Sequence, residues 1–95
     1  MEAKQYDSLE DVRYNIDLID KVIIQMLSER SFFVNQTSYF KKNEQEAEAP
    51  QRVEEVIRKV RHMATSKKLN PDIAEKVYRA MIGAFIEQEK KAIHI

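Results

Sequence analysis

The chain has 95 residues, 43% of them hydrophobic and 34% charged, which is enough for one small domain of ordinary globular composition. Sixteen basic and sixteen acidic side chains cancel, so no global field holds nucleic acid or an anionic membrane surface, and any preference for anions has to be local. Cysteine is absent, which excludes disulfides, thiol catalysis and Cys-type zinc sites; no apolar run approaches the roughly 20 residues of a membrane span, and the polar start MEAKQYDSLED does not read as a signal peptide, so a cytoplasmic protein is expected.

One Gly (Gly83) and two Pro (Pro50, Pro71) punctuate the chain, and alternating β-branched runs are lacking, so the expected fold class is all-α. Three helices are predicted, at about 8–42, 50–66 and 71–93, in a single domain spanning 1–95. Ser8 can cap the first with its hydroxyl, with Asp11 three residues on. Along it Leu9, Ile16, Ile23, Arg30 and Thr37 recur every seven residues, and Lys41 follows four later, so all six share one helix face. The polar stretch 43–49 reads as a loop. Pro50 suits the first turn of a second helix, where its missing N–H costs nothing, and Val53, Val56, Ile57, Val60 and Met63 carry its apolar stripe. Asn70, Pro71 and Asp72 supply an N-cap, a first-turn proline and a first-turn acid for the third. No internal repeat is present.

Helix lengths carry an expectation about assembly. At about 1.5 Å per residue the first helix would span roughly 50 Å, against about 25 Å and 34 Å for the others. One copy would leave much of Ile16, Ile19, Ile23, Met26, Leu27, Phe32 and Phe33 exposed, so an intertwined homodimeric bundle is expected. A seam that begins apolar and ends in Arg30 and Lys41, with Arg52 on the next helix, suggests a pocket for a small anion, because a buried cation is costly unless an anion meets it.

The segment VRYNIDLIDKVIIQMLSER, the spacing of Lys41 eleven residues after Arg30, the APQRVEEVI segment and YRAMIGAFIEQE occur in this order over most of the chain. Together they resemble the all-helical chorismate mutases and their relatives, the isochorismate-pyruvate lyases. The resemblance implies a chorismate mutase, an isomerase of aromatic amino acid biosynthesis, that works without cofactor or metal as a homodimer with two equivalent sites. It implies that Arg30 and Arg52 bind substrate carboxylates, that Lys41 contacts a carboxylate and the ether oxygen of the breaking bond, and that Arg13 is donated by the partner protomer. Glu89 falls where family members carry Gln or Glu to hydrogen-bond the ether oxygen, and a carboxyl donates only when protonated.

Three positions depart from the better-known mutase pattern. Ala49 replaces an acid, Val53 replaces the Glu that holds the ring hydroxyl, and Phe85 stands where Ser is common. Ala-Pro-x-Arg-Val looks more like the lyase branch, so isochorismate-pyruvate lyase is the alternative, and a non-catalytic helical dimer of the same fold is the alternative of another class. In the plainer reading Arg13, Arg30 and Arg52 are surface cations paired with Glu29, Asp17 or Glu55. Asp17 and Asp20 suit salt bridges better than a metal, His62 and His94 lack a partner at ligand spacing, and Lys67, Lys68, Lys90 and Lys91 read as solvated charge. Tyr14, Phe32, Phe33, Phe40 and Tyr78 are expected in the core or a dimer contact, and Phe85 and Tyr39 near the pocket.

Overall fold

The computed structural model describes residues 5–93, with side chains to residue 91, and among the described residues it is all-α. Four helices follow in chain order: α1 (Leu9–Ser38), α2 (Glu44–Glu48), α3 (Pro50–Ser66) and α4 (Pro71–Ile93). His94 lies outside the described residues. The chain divides into two units, Met1–Phe33 and Val34–Ile95.

In the first unit the Ser8 hydroxyl accepts the Asp11 N–H at 3.1 Å, the expected cap of α1. No residue of α1 is buried. Ile16, Ile19, Ile23 and Met26 are each about half exposed, and Phe32 and Phe33 more so, their rings meeting edge to face at 5.3 Å. The helix ends at Ser38, short of Lys41. The Thr37 and Ser38 hydroxyls turn back onto the Val34 and Asn35 carbonyls at 2.6 Å each, and the Phe40 N–H closes a tight turn on the Thr37 carbonyl at 3.0 Å. Tyr39 and Phe40 are 80% and 84% exposed, so no burial holds a further turn. Lys41 therefore lies in the turn after α1 and not on its face.

The second unit is built on α3 and α4. The stretch expected as a loop contains α2: the Asn43 side chain accepts the Glu46 N–H at 2.9 Å, Glu46 accepts the Lys42 N–H, and Ala47 is buried. Ala49 then takes a left-handed backbone between α2 and α3, at φ 37°. On α3 the buried stripe is Ile57, Val60 and Ala64, so Ala64 rather than the half-exposed Met63 continues it. Leu69 N–H to Ala64 O at 2.9 Å and Lys68 N–H to Thr65 O at 3.1 Å close α3 in a Schellman motif, with Lys68 at φ 62° in the position that favours glycine.

Asn70 accepts the Asp72 N–H at 2.9 Å and caps α4, with Pro71 in its first turn. Its inward face carries Ala74, Ile82 and Glu89, with Tyr78, Met81 and Phe85 half-buried alongside. Between α3 and α4, Arg79 grips both Glu54 oxygens at 2.9 Å and Arg61 reaches Asp72 and Glu75 at 3.0 and 2.9 Å. Arg79 holds the Glu54 and Glu75 carboxyls below the usual range through these hydrogen bonds. Among the described residues no helix is long and apolar enough to cross a membrane.

Candidate functional site

Glu89 is the buried charged residue of the second unit, 3% exposed. It sits seven residues after Ile82 on the apolar face of α4, so burying that face carries its carboxylate inside. A buried carboxylate is costly unless it is paired and hydrogen-bonded, and here Lys41 supplies the cation: its Nζ lies 3.0 Å from Glu89 Oε1. Termination of α1 at Ser38 makes this possible, since the turn through Tyr39 and Phe40 swings Lys41 out of the helical path. Thr37 Oγ1 lies 3.3 Å from the same Oε1. Both neighbours meet one oxygen, Oε1. Lys41 is 23% exposed, so its ammonium keeps contact with solvent while it faces Glu89.

Neighbouring contacts hold the arrangement. Gln88 donates to the Asn35 side chain at 3.2 Å, so residues 88 and 89 of α4 are tied to residues 35 and 37 in the last turn of α1. Lys90 binds Glu48 of α2 at 2.7 Å and is only 23% exposed, its ammonium pushed up by that hydrogen bond. It is a tie between helices, unlike the solvated charge its sequence suggests.

The remaining expected site residues are placed differently. Arg52 stands on the exposed side of α3, bonded to Glu55 at 2.7 Å, and Glu55 also takes Lys59 at 3.0 Å. The Lys59 hydrogen bond, with the charges of both cations, holds the Glu55 carboxyl down. Arg52 thus has the ion pair of the plainer reading, on an outer face. Such an exposed pair adds little to stability. Arg13 is exposed and Arg30 half-buried, both on α1 in the first unit. Seventeen residues separate them, which is roughly 25 Å along the helix. No single small ligand touches both in one copy.

Comparison with known families decides what these side chains belong to. The sequence pattern of one family, chorismate mutase type II, matches residues 12–90. The chain belongs to that family. No curated protein matches it. The matched span takes in Arg13, Arg30, Lys41, Arg52 and Glu89 together, along with Val53 and Phe85, both half-buried. Thr37 was visible in the sequence as a member of the seam, one seven-residue step beyond Arg30, but nothing there assigned it a contact with Glu89.

Proposed function

We propose that the protein is a chorismate mutase, converting chorismate to prephenate in a homodimer with two equivalent sites. The observation that carries the reading is the Lys41 ammonium held at 3.0 Å on the buried Glu89 carboxylate in a member of the chorismate mutase family. The rearrangement is a concerted pericyclic shift, so it requires no nucleophile, metal or general base. What the protein supplies is a folded, reactive conformation of a flexible dianion and stabilisation of the charge that grows on the ether oxygen as the C–O bond stretches. Arg30 and Arg52 bind the two carboxylates, for which the planar guanidinium fork is suited, and Lys41 acts as a point charge on a carboxylate and the ether oxygen. Glu89 meets the ether oxygen through Oε2 when it carries a proton.

Arg13 comes from the second copy. The roughly 25 Å between Arg13 and Arg30 along one helix supports this division, and the half-exposed Ile16, Ile19, Ile23 and Met26 of α1 support a partner that covers them.

The lyase reading is favoured by one set of residues. Val53 cannot hold a ring hydroxyl, and Ala49-Pro50-Gln51-Arg52-Val53 resembles the lyase branch, in which isochorismate gives salicylate and pyruvate. Purified protein offered chorismate and isochorismate separately, with products followed by absorbance, tests both readings. Loss of chorismate with formation of prephenate is expected. Salicylate from isochorismate with chorismate untouched would replace the mutase by the lyase, and turnover of neither would leave a non-catalytic helical dimer.

A further inference from the structure

We infer that Thr37 is a positioning residue for Glu89, a hydroxyl that turns from its own helix to the carboxylate when a ligand draws Lys41 away; the inference rests on the reading of Lys41 and Glu89 as site residues. Thr37 has a single hydroxyl proton and two acceptors in reach, the Val34 carbonyl at 2.6 Å and Glu89 Oε1 at 3.3 Å. With the Lys41 ammonium 3.0 Å from Oε1, the carboxylate already has its donor, and the proton stays on the shorter contact to Val34. A dianion that engages Lys41 weakens that support. Rotation about the Cβ–Oγ1 bond then aims the Thr37 proton at Oε1 without moving a heavy atom.

Two nearby cations are engaged elsewhere in the ligand-free chain. On the elements packed around Glu89, Lys90 of α4 is bound to Glu48 of α2 at 2.7 Å, and Arg52 of α3 to Glu55 at 2.7 Å. The Gln88 amide on Asn35, at 3.2 Å, fixes the same turn of α4 against the same turn of α1, so the Thr37 oxygen stays within reach as the charges rearrange. The result is an Oε1 anchored throughout, first by Lys41 and then by Thr37, with Oε2 left to face the ether oxygen.

The test compares Thr37→Val, which keeps size and β-branching but removes the hydroxyl, with Thr37→Ser, which restores it. A neutral hydrogen bond made in the reacting complex corresponds to about a fivefold effect. Thr37→Val should lower kcat by about that much with less than a twofold change in KM, and Thr37→Ser should recover most of it. Equal losses in both variants, or an unchanged kcat in Thr37→Val, would overturn the inference. A second arm needs no turnover. Lys41→Met mimics withdrawal of the cation, so Thr37→Val should lower the folding equilibrium constant about fivefold more in the Lys41→Met background than in wild type, read by urea denaturation. Equal effects in both backgrounds would overturn it. Failure of the wild type to turn over chorismate or isochorismate would refute the functional reading alone, and the folding arm then decides the role of Thr37.

Discussion

Removing either member of the Lys41–Glu89 pair should have unequal consequences, because the two are unequally buried. Glu89 is 3% exposed and Lys41 23%. Lys41→Ala leaves a carboxylate where water barely reaches; Glu89→Gln leaves an ammonium that can turn to solvent and an amide of nearly the same shape. Breaking one side of a fully buried pair costs about 3–5 kcal/mol. Partial exposure of Lys41 and the neighbouring Thr37 hydroxyl lower that figure, so Lys41→Ala should destabilise by about 2–3 kcal/mol and Glu89→Gln by about 1 kcal/mol. A 2 kcal/mol loss is a roughly 30-fold drop in the folding equilibrium constant.

The double variant carries the sharper expectation. Once Gln replaces Glu89 no buried charge is left for Lys41 to neutralise, so Lys41→Ala with Glu89→Gln should be more stable than Lys41→Ala alone, with a coupling of about 1–2 kcal/mol. Urea denaturation followed by helical circular dichroism measures this, at one fixed protein concentration because association and folding are linked. Turnover should behave differently from stability. Lys41→Ala removes a donor to charge that develops in the transition state and should cost about 100-fold or more in kcat/KM, while Glu89→Gln keeps a donor for the ether oxygen and retains activity. Glu89→Gln as destabilising as Lys41→Ala, or strictly additive effects in the double variant, would refute the pairing argument.

Further expectations concern the rest of the molecule. The protein should sediment at about twice 11.2 kDa and unfold with a concentration-dependent midpoint, and a fully active monomer at micromolar concentration would refute the homodimer. Lys68→Gly should raise stability by about 1 kcal/mol, measured by the denaturation midpoint, since Lys68 holds φ 62° at the end of α3. Below about pH 4.5 the ion pairs of Arg79 should weaken: its hydrogen bonds hold Glu54 and Glu75 below their ordinary value of 4.5, so their contribution is full above that value and is lost as pH falls through the lowered one. Arg79→Gln should therefore be less stable than wild type at pH 7, with the gap closing as pH falls towards 3; a gap independent of pH would contradict this.

The starts of α3 and α4 were legible because each is written in local chemistry. Pro50 and Pro71 can occupy a first turn but not an interior, and Asn70 places its side-chain oxygen on the Asp72 N–H. The end of α1 was not legible, since the step from Thr37 to Lys41 continues a helical pattern that the backbone abandons at Ser38. Periodicity records which residues would share a face if the helix went on, whereas termination depends on whether the next turn finds burial, and Tyr39 and Phe40 find none. Short α2 escaped for a related reason: five residues are too few for a period, and only the Asn43 cap and the Ala47 methyl mark it.

The same distinction applies to Lys41 and Glu89, which were expected in the site separately and not as a pair. Lys41 is not on the face of α1, yet a cation at the end of an apolar series needs a counter-charge, and Glu89 ends such a series on α4. Each residue was individually suspicious, and their contact at 3.0 Å depends on a turn that neither helix encodes alone. The first helix presents the reverse case. Ile16, Ile19, Ile23 and Met26 read as core residues but stand about half exposed in the single chain. Apolar residues at helical spacing are seldom left in water over such a length, so this stripe is what the proposed homodimer would cover, with Arg13, roughly 25 Å along that helix from Arg30, offered to the second copy.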